Sequence, residues 1–472
     1  MKINITNLGA IEEVRIDLKP LTIFIGENGT GKTWTVYAIA GILGVYGFNY
    51  YRNEYLEGRT EYLYKPIEDA ISNLIEKGNA KINVIQFAQE FIEIYLNEIA
   101  KLAPGWLNSF LATKRVSFNN LSISAELPDN YRNNIMDKLK ASHVKAKKSI
   151  GAKSILVLNT LKEKNSEELY YYTKSENENS DEIPEPVIKE EVRDFVFTVT
   201  FTIIRNALFP NTPILPTERS TFITFPFPAI QNENHRQYEI KKKNVIKDNE
   251  NILISEPVRN FLEILKSSLK EYFNRKIQET YQPEISKFIQ LANLLESDIL
   301  FGDIDFEQYG ENFELIHKLS KDTNLELNIS SSMVKELAPL ALYLKYLAQP
   351  GDLLVIDEPE MNLHPAAQAE ITEFLGMLSN AGLYILITTH SPYIVDHLVN
   401  LIYAKKDNKG EKITKDFFLE KTDSFISKEN VAVYLFENKT AENALTENGE
   451  INWGTFSDVS HDISSVYAKL IN

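Results

Sequence analysis

Three short runs of consecutive apolar residues stand out in a chain that otherwise mixes apolar and polar positions. They are Leu21-Thr22-Ile23-Phe24-Ile25, Leu353-Leu354-Val355-Ile356 and Tyr384-Ile385-Leu386-Ile387. Runs without polar alternation fit strands covered on both faces, as in the middle of a parallel sheet. Met1 to Ile5 reads as an opening strand. A helical period runs from Tyr64 to Leu102, through Ile67, Ile71, Leu74, Phe87, Phe91, Ile94 and Leu96, and Pro104-Gly105 ends it. Glu190 to Leu208 and Pro257 to Leu295 are helical as well. The second of these lacks a sustained heptad, which predicts a short helical arm and not a long coiled coil. Residues 114–127 and 154–174 alternate as strands, and Ile299 to Ile304 with Leu325 to Ile329 read as a strand pair. Leu401 to Ala404 and Val431 to Phe436 also read as strands, and Asp458 to Leu470 as a last helix. The polar stretches 175–186 and 229–252 read as loops.

The first apolar run leads directly into Gly26-Glu27-Asn28-Gly29-Thr30-Gly31-Lys32-Thr33, and a helical segment from Trp34 to Leu43 follows. Glycines let consecutive backbone amides turn toward one anion, and the helix N-terminus adds its partial positive charge. Gly26, Asn28, Gly29 and Gly31 therefore form a phosphate cradle; Lys32 would reach the outer phosphates, and the Thr33 hydroxyl would bind magnesium. A glycine-rich turn matching by chance would not need the strand before it and the helix after it. The predicted ligand is a nucleoside triphosphate. The second run closes on Asp357-Glu358. Asp357 is placed to hold magnesium through water, and Glu358 to act as the base or to orient the attacking water. The third run ends at His390, on the carboxyl edge of a core strand where open α/β sheets bind ligands. His390 is read as a γ-phosphate sensor. Ser330, Ser331 and Ser332 precede an apolar helix from Leu337 to Leu347 and offer a second anion site, an ordinary serine cap being the alternative.

These elements resemble the ABC-type ATPase heads, within them the branch of OLD-family, RecF and SMC-like ATPases. The wording Phe-Ile-Gly-Glu-Asn-Gly-Thr-Gly-Lys-Thr (24–33), Ile-Asp-Glu-Pro-Glu-Met-Asn-Leu-His-Pro (356–365) and Ile-Thr-Thr-His-Ser-Pro-Tyr-Ile (387–394) carries the resemblance. It implies ATP and Mg2+ as ligands, Asp357 and Glu358 as the Walker B pair, and Glu360 to His364 as a dimer-contacting D-loop. It also implies that Ser330 to Ser332 complete the nucleotide site of a second subunit in a head-to-tail homodimer. Two features depart from the family pattern. Ser332-Met333 stands where one or two glycines usually follow the first serine, and there is no clear Q-loop glutamine, Gln86 and Gln89 lying in a helical stretch. Pro216-Thr217-Glu218-Arg219-Ser220 resembles a Pro-x-x-Arg-Ser element of related ATPases, which puts Glu218 and Arg219 near the nucleotide. In OLD-family nucleases a Toprim domain follows; no comparable carboxylate cluster follows His390, so a built-in nuclease is not expected.

The fold class expected is α/β, a P-loop head with a mainly parallel core sheet, N-terminal antiparallel strands and a large, mostly helical insertion. The expected division is 1–50 for the P-loop part of the head, 51–212 for an inserted arm, 213–298 for a lobe element and helical arm, 299–400 for the signature, Walker B and histidine part, and 401–472 for its completion. At 472 residues and 43% hydrophobic content the chain has enough material for two lobes. With no cysteine, disulfides and thiol chemistry are excluded. No run approaches a membrane span and the N-terminus lacks a signal core, which predicts a cytoplasmic protein. A net charge of −16 argues against non-specific coating of nucleic acid, yet five lysines lie between Lys138 and Lys148, and Lys241-Lys242-Lys243 has His235, Arg236 and Lys247 nearby. The expected function is an ATP-driven switch that dimerises and controls a separate effector protein, as in anti-phage defence; the alternative is a RecF-like clamp on DNA. An ABC transporter subunit fits less well, because the insertion replaces the lobe that docks on membrane domains.

Overall fold

The protein is described from a computed structural model, which covers residues 1–150, 156–175, 185–224, 254–277, 283–309, 312–406 and 410–453. The last helix expected, the loop 229–252 and the cluster around Lys241 fall outside these residues, as does nearly all of 175–186.

The strands are β1 (Lys2–Leu8), β2 (Ile11–Asp17), β3 (Leu21–Ile25), β4 (Asn79–Asn83), β5 (Ser122–Glu126), β6 (Val144–Ile150), β7 (Leu156–Lys162) and β8 (Glu168–Ser175). They continue with β9 (Ile214–Leu215), β10 (Asp303–Tyr309), β11 (Asn312–Ser320), β12 (Thr323–Glu326), β13 (Leu353–Asp357), β14 (Tyr384–Thr389), β15 (Val431–Glu437) and β16 (Thr440–Asn443). Nine of them form one mixed sheet in the order β5-β1-β2-β16-β15-β3-β14-β13-β9. Its half from β15 to β9 is parallel, with Ile23 beside Ile387 on one side and Val433 on the other. The N-terminal strands pair antiparallel, β1 with β2 and with β5.

Two hydrophobic cores, one on each face, explain the uninterrupted apolar runs. Leu21, Ile23 and Ile25 enter one core and Phe24 the other; Leu354 and Ile356 oppose Leu353 and Val355 in the same way. Every position of a doubly covered strand is buried, so period-two alternation disappears. Thr22 is tolerated because its hydroxyl bonds to the backbone of Lys19.

The segment between the first head helix (Lys32–Leu43) and β9 adds helices and a four-stranded antiparallel sheet, β4-β8-β7-β6. An aromatic cluster of Tyr51, Tyr55, Tyr64, Phe87, Phe91, Tyr95, Phe197 and Phe201 fills its centre. Several local expectations are revised. Gly78, at φ 72°, caps the helix Lys65–Lys77, after which β4 forms and Asn83 caps a new helix, Val84–Lys101. The helix Val84–Lys101 ends at Leu102, before Pro104 as expected, and Pro104 then sits in the first turn of a new helix, Ala103–Phe110, where its missing N–H costs nothing. Leu401 to Ala404 belong to the helix Pro392–Lys406, whose buried Ile394, Val395, Leu398, Leu401 and Ile402 follow the helical period. Leu295–Leu300 is a π-helical turn, and Leu327–Ile329 a single 3-10 turn rather than strand.

Candidate functional site

The loop after β3 takes the backbone that its glycines permit. Gly26, Gly29 and Gly31 all have positive φ, at 137°, 80° and 97°. A Cβ at Gly26 would lie 2.5 Å from the Phe436 carbonyl oxygen, and one at Gly31 would meet Ile11 at 2.7 Å. At Gly29 nothing lies within 4 Å, so the outer side of the loop is open. Asn28 is exposed at its tip. Lys32 begins the helix and folds back, its Nζ donating to the carbonyls of Gly26 (2.8 Å) and Glu27 (2.7 Å). Burial lowers its pKa, while Glu358, Asp357, Glu360 and Glu27 oppose that shift.

Asp357, at the carboxyl end of β13, is fully buried. Its Oδ1 accepts from the Thr33 hydroxyl at 3.1 Å and from the Thr388 hydroxyl, and its Oδ2 from the Tyr37 hydroxyl at 3.2 Å. Burial pushes its pKa up against these three donors. A buried carboxylate beside a hydroxyl suits a hydrated divalent cation, so the residues fit magnesium, with Thr33 and Asp357 as its holders.

Glu358 has φ 49°, a left-handed conformation rare outside glycine. Its N–H donates to the carbonyl and hydroxyl of Thr388, at 3.2 and 3.1 Å. His390 follows β14, and its Nδ1 lies 3.6 Å from carboxylate oxygens of both Glu358 and Glu360. Glu360 in turn accepts from the His390 N–H (2.9 Å) and the Thr389 hydroxyl (2.6 Å), fixing the turn after β14.

Arg219 differs from its expected place beside a nucleotide. It is 1% exposed, and its guanidinium donates to the carbonyls of Pro216 (2.9 Å), Asp357 (2.7 Å), Glu358 (2.9 Å) and Glu336 (3.2 Å). Its Nε is also 2.9 Å from Glu336 Oε2 in a fully buried ion pair. Arg219 therefore sits beneath the acidic pair and holds its backbone. The Pro-x-x-Arg-Ser resemblance located the residue along the chain but not the direction of its side chain. Glu336 also accepts from Asn362 at 2.9 Å, joining the helix Ser332–Tyr346 to the turn after β13.

Gly26, Asn28, Gly29, Gly31, Lys32, Thr33, Asp357, Glu358 and His390 thus share the carboxyl ends of β3, β13 and β14. Ser330, Ser331 and Ser332 do not bond to them. Ser331 caps the helix Ser332–Tyr346 through Val334 N–H, Ser330 bonds to the Glu326 carbonyl, and Ser331 and Ser332 are exposed. Sequence reasoning missed Tyr37, Thr388 and Glu336. Tyr37 lies one helical turn after Thr33 and Thr388 two residues before His390, so spacing could have flagged both; nothing marked Glu336.

A P-loop at the switch from β3 to its helix, facing an acidic strand end across a parallel sheet, defines a P-loop ATPase head. The family model described as an AAA ATPase domain matches residues 1–395, and the chain belongs to that family. The Old nuclease of Escherichia phage P2 is 26% identical over 181 residues, which are 36% of this chain and 30% of that protein. The chain thus spans under a third of that relative's length. Among solved structures, an SMC head bound to the C-terminal winged-helix domain of ScpA aligns over 94% of this chain and 96% of that one, at 11% identity and a TM-score of 0.37. The SMC head with an extended coiled coil from Pyrococcus furiosus aligns over 94% of both chains, at 12% identity and a TM-score of 0.36. The expectation of an ATPase head is borne out by the family match. Among the described residues no helix is long and apolar enough to cross a membrane.

Proposed function

We propose that the protein binds and hydrolyses ATP with magnesium, pairs head to tail around the nucleotide, and uses the cycle to control a separate effector protein in anti-phage defence. One observation carries the nucleotide reading: Thr33 and Asp357, remote in sequence, meet at 3.1 Å beside an open glycine loop. Bound magnesium supplies charge neutralisation on the phosphates. Lys32 turns from the carbonyls of Gly26 and Glu27 to the outer phosphates. Glu358 orients the attacking water, and His390 follows the γ-phosphate from its position beside Glu358. Ser330 to Ser332 present the N-terminus of the helix Ser332–Tyr346 to the nucleotide of the opposite subunit. The pairing, the effector and the defence role rest on the family resemblance, and the similarity to the Old nuclease supports that branch. Lys32→Ala should abolish binding of a fluorescent ATP analogue. Glu358→Gln should bind it like wild type and release no phosphate; wild-type turnover in that variant would remove Glu358 from its assigned role.

A further inference from the structure

The sheet β4-β8-β7-β6 has one buried face and one that is outward around Tyr170 and Tyr172, with Val157 covered at its far end. Tyr171, Leu169, Leu158 and Thr160 point inward, and the Tyr171 hydroxyl meets Thr200 of the helix Glu185–Leu208 at 2.7 Å. Tyr170 and Tyr172 point the other way and are 46% and 39% exposed. Strand pairing sets each in a row across the sheet. Lys81, Tyr170, Leu161 and Lys145 form one row, and Asn79, Tyr172, Asn159 and Lys147 the next. Lys174 shares this face, two residues beyond Tyr172. Alternation along β6 thereby splits the lysine run: Lys145 and Lys147 face out, while Lys148 turns inward to Asp194 and Glu191 at 2.6 Å each.

This face is basic on a chain with net charge −16. Lys81 is 3.4 Å from Glu168 at one corner, whereas Lys145 and Lys174 make no ion pair among the described residues. Two aromatic rings on one strand face, about 7 Å apart, with cations on the strands around them, suit unstacked bases and their phosphates. An acidic protein would use the lysines but has no need of two flat aromatic faces, and a duplex keeps its bases stacked on each other.

We propose that the outward face of this sheet binds single-stranded nucleic acid, with bases stacking on Tyr170 and Tyr172 and phosphates held by Lys145, Lys147 and Lys174. The test is fluorescence anisotropy of the full-length protein with labelled oligothymidylate, oligouridylate and a duplex of matched length, at rising salt. The single strands should bind in preference to the duplex, with affinity falling as salt rises. Tyr170→Ala/Tyr172→Ala should weaken binding about tenfold or more, and Lys145→Glu/Lys147→Glu should reduce both affinity and its salt dependence. All four positions are surface sites, so thermal unfolding should match wild type and confirm that the variants fold. No binding at low salt, or binding unchanged by the tyrosine pair, overturns the proposal. Equal binding of duplex and single strand, lost only in the lysine variant, marks a plain electrostatic surface and overturns it too. Retention of an acidic protein partner by the lysines, with single strands bound as in wild type by both variants, does the same.

Discussion

Glu358 is held in a left-handed backbone that costs about 1–3 kcal/mol and persists only where its surroundings impose it. Those surroundings are the Thr388 carbonyl and hydroxyl on its N–H and Arg219 on its carbonyl. Thr388 also bonds to Asp357, so one hydroxyl sets the position of both acidic residues. Thr388→Val should therefore slow phosphate release by roughly ten- to a hundredfold, with nucleotide affinity nearly unchanged. Steady-state turnover beside a direct binding titration reads the two separately, and an equal loss in both would assign Thr388 to binding instead.

At the scale of elements, a buried ion pair and a buried carboxylate join the head together. The Arg219–Glu336 pair ties the helix Ser332–Tyr346 to the end of β13. Removing one partner, as in Glu336→Ala, should cost about 3–5 kcal/mol of stability by denaturant unfolding, because a charge is left buried alone. The pair Arg219→Met/Glu336→Leu should recover much of that stability without recovering turnover, since the backbone of Asp357 and Glu358 loses its donors. Asp352, before β13, accepts from Asn211, Gln349 and Tyr343 and is pushed up to about 6 by burial. The folded chain then keeps a proton that the unfolded chain releases near its ordinary value of 3.8. The resulting stability, about 3 kcal/mol, is complete below that value and lost as pH rises through about 6. Denaturant unfolding across pH 4 to 7 should show that falling contribution in wild type relative to Asp352→Asn. The parallel strands were legible in the sequence because burial on both faces leaves no polar gap. β5 was legible from its alternation within 114–127, but β4 was not, since it lies within a helical period and its pairing partner β8 is far along the chain. The Leu401 to Ala404 run misled because four adjacent apolar residues suit a strand, while the helical face is visible only from Ile394 onward. The P-loop and acidic strand were readable from spacing; the direction of Arg219 depended on tertiary packing.

At the scale of the whole molecule, the proposed head-to-tail pairing would make each nucleotide site composite. Lys32→Ala and Ser331→Arg should each be inactive alone. Mixed in equal amounts, they should regain about a quarter of wild-type turnover, because half the dimers are mixed and each mixed dimer has one intact site. No recovery would separate the serines from the site of a second subunit. Mass photometry of Glu358→Gln should show a doubled mass only with ATP. A different consequence comes from β15. The P-loop strand lies between β14 and β15, yet more than four hundred residues separate it from β15 along the chain. During synthesis at roughly 5–20 residues per second, β3 waits tens of seconds with an open flank while its last neighbour is made. A nascent chain of this protein therefore carries an unpaired, apolar strand edge for most of its time on the ribosome, and its yield in the cell should depend on whichever chaperone covers that edge.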